Sequence, residues 1–367
     1  VLAVGGFGRG ELFPHSDIDV LVVAEKLPEE PEERDALSFF QRALWDGGLR
    51  LSHSLRLVEE CCQLDENDIE RTVALLDRRF LVGNTALWEK LEQRFPKFLA
   101  AKQGALDRHL CRLAAQRHQK FNHTIYHLEP DVKETCGGIR DLHLLHWLRE
   151  DSGDFDAARD YLWSLRFALH DRAGRDRNHL TFEEQDEIAR LHGVNPDELM
   201  REYYRCARAI YRAAGRAVEK HEGPASGLLD TFRDWRTRLS NADFTVSRDR
   251  VFFRGTPDTA AMLRVFPFIA RHGIRLAGDA EARVAASAEA LAQHPMGWAY
   301  WQDLLSQPNT AKALRAMQET QVLDEMLPEW KRIECLVARD FYHRYTVDEH
   351  TLVTLDALEN LRYATEP

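Results

Sequence analysis

Two aspartates one residue apart, Asp17 and Asp19, close a glycine-rich stretch that reads VLAVGGFGRGELFPHSDIDVLVV over residues 1–23. On a strand, side chains at i and i+2 share a face, so both carboxylates leave one side while Ile18 packs on the other. Charges roughly 5 Å apart repel by about 3 kcal/mol at an effective dielectric near 20, which cations between them would relieve. Mg²⁺ suits such a pair: it prefers oxygen ligands, keeps several waters and is commonly completed by substrate phosphates. Upstream, Gly5, Gly6 and Gly8 let the backbone approach a ligand closely. N–H groups of the short turn near Arg9 can then point at phosphate oxygens. Each half alone has an ordinary explanation, a tight strand-to-helix turn or a solvated acidic loop. Together they fit in-line nucleotidyl transfer with two metals.

These residues need a sheet to hold them. Leu2, Val4 and Ile18 to Val23 read as short buried strands bounded by Gly, Pro and Ser. Leu37, Phe40 and Leu44 recur at helical spacing, and Gly47-Gly48 stops that helix. In LRLSHSLRL, Leu49, Leu51, His53, Leu55 and Leu57 take one face, and Arg50, Ser52, Ser54 and Arg56 the other. The prediction is an α+β N-terminal domain, a small mixed sheet with helices on one face, followed by a mainly α-helical region. The expected divisions are 1–95, a helical domain at 96–222, a linker EGPASG at 222–227, a helical region at 228–335 and a further start at 336–367. A short hairpin is expected at 244–253, with Ser-Arg-Asp-Arg as its turn.

The chain of 367 residues has 49 Lys+Arg against 60 Asp+Glu, a net charge of −11. That balance argues against a nucleic-acid partner, which would call for a basic stripe. No apolar run is long enough to predict a membrane span. Six scattered cysteines without a C-x-x-C pair predict reduced, mostly buried thiols and a cytoplasmic setting. Val1 already lies in a strand-like run and a helical pattern is cut at Pro367, which predicts a segment of a longer protein.

The stretch GGFGRGELFPHSDIDVLVV resembles the nucleotidyltransferase motif of the DNA polymerase β-like superfamily. Its form is that of the bifunctional uridylyltransferase/uridylyl-removing enzymes, which modify the nitrogen-regulatory protein PII. HLEPDVKETCGGIRDLHLLHW at 127–147 is similar to that family's NLEPDxKxxxGGxRDxH. RFALHDRAGRDRNHLTFEEQDEIA at 166–189 resembles its helical segment. VLDEMLPEWKRIECLV and YHRYTVDEHTL, between 322 and 352, resemble its approach to an HD phosphohydrolase domain. The resemblance implies transfer of UMP from UTP to a tyrosine of PII, with release of pyrophosphate. It implies Asp17 and Asp19 as Mg²⁺ ligands, Gly5 and Gly6 around the triphosphate, and Arg9 and Ser16 supporting that loop. It also makes 336–367 the start of a truncated HD domain, in which His350 stands as one metal-ligand histidine. A single histidine makes no metal site, so uridylyl removal is not expected from this segment. Two other readings remain open: nucleotidyl transfer such as adenylylation of another acceptor protein, and a non-catalytic module that senses UTP.

Several residues keep two readings. Lys133 and Arg140 either close over the triphosphate or belong to a plain Gly-Gly turn entering a helix with an acid near its positive end. Arg56 is either a phosphate contact or a solvated strand charge. The superfamily's third carboxylate has no counterpart among Arg50, Ser52, Ser54 and Arg56, and Ser54 is the expected occupant of its place. Cys136 stands where the family pattern leads one to expect proline. His170-Asp171 reads as a chance HD pair inside a helix, and His118, His123 and His127 as ordinary polar helix positions rather than a zinc site.

Overall fold

The computed structural model describes residues 1–64, 69–150, 155–221, 239–294, 296–339 and 342–361. It divides into two compact units, Val1–Asn122 with Asp131–Leu180, and His123–Pro130 with Thr181–Pro367.

The first unit is built on a mixed sheet in the order β3-β2-β1-β4. Strand β1 (Leu2–Ala3) runs antiparallel to β2 (Ile18–Ala24) and to β4 (Arg79–Phe80), and β2 runs parallel to β3 (Leu51–Leu57). The short helix α1 (Gly5–Arg9) follows β1, and α2 (Pro31–Asp46) links β2 to β3. Leu2 pairs with Leu21 across the ladder, and both enter a buried cluster with Val4, Val58, Leu75, Leu91 and Phe95. Those partners come from α3 (Val58–Cys61), α4 (Glu70–Leu76) and α5 (Thr85–Lys120). Because Asp19 pairs with Ser52 and Leu21 with Ser54, the polar side of LRLSHSLRL is the side that carries Asp19 and this core. On the opposite side, Trp45 of α2 meets His53 edge-on at 6.1 Å between ring centroids.

Helix α5 starts where the Asn84 side chain accepts the Ala86 and Leu87 N–H groups, at 2.9 and 3.4 Å. It then runs 36 residues, through Pro96. The division expected at 95/96 therefore falls inside one helix, whose Phe95 lies in the sheet core while Leu106 and Leu110 are buried further along. Helices α6 (Ile139–Leu148) and α7 (Asp156–Ala173) complete this unit, so the expected 96–222 domain is shared between the two units. Local helical periodicity is the same on both sides of such a boundary and cannot mark it.

The second unit contains α8 (Phe182–His192), α9 (Pro196–His221) and a three-stranded sheet of β5 (Phe244–Ser247), β6 (Arg250–Phe253) and β7 (Arg275–Leu276). The expected hairpin is present, and its two turn residues, Arg248 and Asp249, both have positive φ, as a tight hairpin loop demands. Further helices pack around Phe244, Val251, Phe266, Ile269, Met317 and Leu323. Helix Val347–Leu361 inserts Leu352 into this same cluster. The linker expected at 222–227 lies outside the described residues. All six cysteines are free, and five of them are buried. Among the described residues no helix is long and apolar enough to cross a membrane.

Candidate active site

The first unit encloses a cleft of about 620 Å³, with Gly5, Gly6, Arg9, Ser16, Asp17, Asp19, Lys133 and Arg140 among its lining residues. The expected glycine turn is the five-residue helix α1, closed by Gly10 in the left-handed conformation. Two glycines there are dictated by space. A Cβ on Gly8 would stand 1.7 Å from the Asp77 carbonyl oxygen, which no rotation of a side chain can relieve. Gly5 has φ +55°, and a Cβ on it would press to 3.1 Å from Asp19 Oδ2. The cleft floor is thus bare backbone set against a carboxylate.

Asp19 lies at the start of β2. Burial raises its pKa, a hydrogen bond from Ser52 opposes the rise, and the neighbouring Asp17 adds to it. Ser52, not Ser54, is the residue beside Asp19, because the parallel register pairs Ser54 with Leu21. Asp17 precedes the strand, and its Oδ1 pairs with the Arg50 guanidinium, Nε lying 2.9 Å away. Ser16 closes the preceding turn: its Oγ accepts the Phe13 N–H at 3.1 Å, and its own N–H donates to the Phe13 carbonyl at 3.0 Å. Among the described residues no group of three or more His, Cys, Asp or Glu side chains is set to hold a metal ion. The paired oxygens of Asp17 and Asp19, with a glycine leaving space at Asp19, fit a hard divalent cation that draws its remaining ligands from water and phosphate.

Arg9 does not project freely. Its guanidinium bonds Glu11 at 2.8 Å, pairs with the buried Asp77, and lies 3.2 Å from His143 Nε2. Asp77 also accepts the Trp147 indole N–H at 3.0 Å. Burial would raise the Glu11 carboxyl, yet His143 and Arg9 pull it down to about 2. Burial lowers His143 to about 4, leaving it neutral at pH 7. Its Nε2 lies 2.9 Å from Glu11, and its Nδ1 has no hydrogen-bond partner among the described residues. This network braces α1 from below, and sequence reading missed Glu11, Asp77 and His143 because their pairing exists only in the fold.

Cations gather on another wall. Lys133 is half-buried, with its pKa lowered by burial and then by Arg140 and Arg166. Among the described residues it has no ion pair. Arg140 lies 3.3 Å from Glu134. Arg166, which sequence reading did not single out, stacks its guanidinium 4.3 Å above the Phe13 ring, donates to Asn178 Oδ1 at 2.8 Å and lines the cleft. The loop bearing Lys133 is itself held by the fully buried Asp141. That carboxylate accepts the Gly137 N–H at 2.7 Å, pairs with Arg117 and lies 2.9 Å from His118 Nε2. Burial would raise Asp141, but Arg117 and His118 hold it below its usual value.

The remaining candidates lie elsewhere. Arg56 is not among the residues lining the cleft; it sits four residues beyond Ser52 on β3 and donates to the Arg71 carbonyl at 3.1 Å. His350 belongs to the second unit, its ring 4.8 Å from that of His343. His170 is fully buried, bonded to the Pro14 carbonyl and 3.0 Å from Asp176, while Asp171 is exposed, so the pair is a structural contact rather than a dyad. His118 ends up beside Asp141, whereas His123 and His127 follow the end of α5 and share no helix face.

Comparisons with known proteins agree in order along the chain. Residues 1–73 match the family described as nucleotidyltransferase domain, and residues 108–150 and 148–217 match the family described as GlnD PII-uridylyltransferase. A protein of Thiobacillus denitrificans, a bifunctional uridylyltransferase/uridylyl-removing enzyme, is 35% identical over 412 residues. That alignment takes in 100% of this chain and 46% of the relative, so the chain spans a little under half of its length. No solved structure matches the chain.

Proposed function

We propose, on the premise that the chain belongs to the family of bifunctional uridylyltransferase/uridylyl-removing enzymes, that it catalyses the nucleotidyl half of their chemistry. The reaction is transfer of UMP from UTP to a tyrosine hydroxyl of PII, with pyrophosphate as the leaving group, in the cytoplasm. One observation carries this reading: a carboxylate pair, a bare-backbone floor and a lysine with no ion pair among the described residues line the same cleft. Asp17 and Asp19 would hold Mg²⁺, which when bound would neutralise phosphate charge at the α-phosphate. Lys133, Arg140 and Arg166 bind the triphosphate oxygens by charge-assisted hydrogen bonds. Gly5 keeps space beside Asp19 for a phosphate, and Ser52 fixes the orientation of that carboxylate.

The test is incubation of the chain with labelled UTP, Mg²⁺ and PII. Label on a PII tyrosine, not competed by excess ATP, CTP or GTP, is the expected result; label that ATP competes away, or that appears on another acceptor, contradicts it. Ser52 in the place beside Asp19 favours one second reading, a module that binds UTP without turnover. Tight UTP binding with no pyrophosphate released in the presence of PII would establish that alternative.

A further inference from the structure

Both acids of the cleft take a partner from the first residues of the β3 segment, and the two partners differ in charge. Asp19 is bonded by the neutral hydroxyl of Ser52, Asp17 by the guanidinium of Arg50. Arg50 is tied to the Asp17 turn more than once. Its Nε lies 2.9 Å from Asp17 Oδ1 as an ion pair, its Nη1 donates to the His15 carbonyl at 3.2 Å, and its own carbonyl accepts the Ile18 N–H at 2.7 Å. His15 has φ 64°, a left-handed conformation that an L-residue with a side chain adopts only when its surroundings hold it there. Arg50 thus clamps the segment that delivers Asp17 to the cleft, and it does so with a positive charge on a carboxylate oxygen.

A hydroxyl on Asp19 leaves that carboxylate's charge intact for a cation. A guanidinium on Asp17 does not: a divalent cation must displace it or share the oxygen against like-charge repulsion. We propose that Arg50 is an internal counter-cation that competes with the divalent metal for Asp17 and thereby sets the metal affinity of the acid pair. The inference rests on the reading of Asp17 and Asp19 as metal ligands. Both side chains are about half exposed (54% and 49%), so the contact is a weak one. An energy of that class corresponds to a change in affinity of about two- to fivefold.

The experiment measures Mn²⁺ binding to the whole chain by electron paramagnetic resonance of free Mn²⁺, at low ionic strength and without nucleotide. Arg50→Gln and Arg50→Ala are expected to bind Mn²⁺ about two- to fivefold more tightly than the parent, with Arg50→Lys between them and the parent. A residue that merely stiffened the turn would give weaker binding when removed, never tighter. Asp17→Asn separates the two levels of the claim. If it loses Mn²⁺ while both Arg50 variants, folded by circular dichroism, bind as the parent does or more weakly, the competition is wrong and the acid-pair reading survives. If Asp17→Asn binds Mn²⁺ like the parent, both are wrong.

Discussion

Each unit carries acids that burial pushes up, and their surroundings could hardly differ more. In the first unit Asp19, with Asp17 beside it, borders a cleft of about 620 Å³ that also contains a lysine with no ion pair among the described residues. In the second unit Asp348 and Glu349 are raised by burial, and Asp324 is pushed by burial, and by Glu334, up to about 7. There the side chains are locked inside packed protein. Asp348 accepts from Gln318 Nε2 at 2.6 Å and from the Cys335 N–H at 3.2 Å, and Glu349 takes two bonds from Arg315 at 2.9 and 2.7 Å. A raised carboxyl by itself therefore says little about function. What distinguishes the first set is an open cavity with an opposite charge waiting in it.

The sharpest way to break that contrast is to neutralise one acid of each kind. Asp19→Asn should lower UMP transfer by roughly 10³-fold or more, because a metal-holding carboxylate supplies several kcal/mol to the barrier, while the thermal midpoint holds or rises. Steady-state labelling beside a thermal melt checks it. Asp348→Asn should do the reverse, altering the melt and leaving the rate per folded molecule near the parent's.

The next effect probes the floor of the cleft. Gly8→Ala must force α1 away from the Asp77 carbonyl, at a cost of about 3 kcal/mol in unfolding free energy by urea titration. Unchanged stability would mean that α1 is not held against that carbonyl.

Lys133→Gln should raise the KM for UTP by roughly 10- to 100-fold, the loss of one charge-assisted contact, with a smaller change in kcat. Arg56→Gln, at the far end of β3, should leave that KM within about twofold. Equal effects of the two substitutions would put the triphosphate somewhere other than this cleft.

The smallest effect is a pH dependence of the second set. Asp324 titrates near 4 in the unfolded chain and at about 7 in the folded one, so the folded state binds the extra proton between those values. Stability is then highest below about pH 4 for this group and falls as pH rises towards 7. Asp324→Asn should flatten that fall, visible as a loss of a few degrees less in Tm, roughly 2–4 °C, between pH 5 and pH 7.5. A parallel fall in both proteins would mean that Asp324 is not the group responsible.

Much of the first set was legible in the sequence because its geometry is local. Spacing of two residues along the chain keeps Asp17 near Asp19, and Gly5, Gly6 and Gly8 name the close backbone approach without any knowledge of the fold. Lys133 and Arg140 were legible only through family resemblance, since nothing local ties residue 133 to residue 19. Arg166 and the Glu11–Arg9–Asp77–His143 network were not legible, because their partners lie far apart in the chain, 68 residues in the case of Arg9 and Asp77. The same limit applies to Ser52: alternation fixes which face a residue takes, whereas the register that sets Ser52 beside Asp19 is a non-local fact. Where one domain ends is just as non-local, since α5 carries one unbroken helical pattern past residue 95.

The most direct measurement is a crystal of the chain soaked with Mn²⁺ and a non-hydrolysable UTP analogue, examined for anomalous scattering. The account predicts a manganese peak within bonding distance of both Asp17 and Asp19, with the triphosphate running from Gly5 and Gly6 towards Lys133. Manganese bound elsewhere, or a triphosphate seated away from the glycine helix with that acid pair bare, would contradict it.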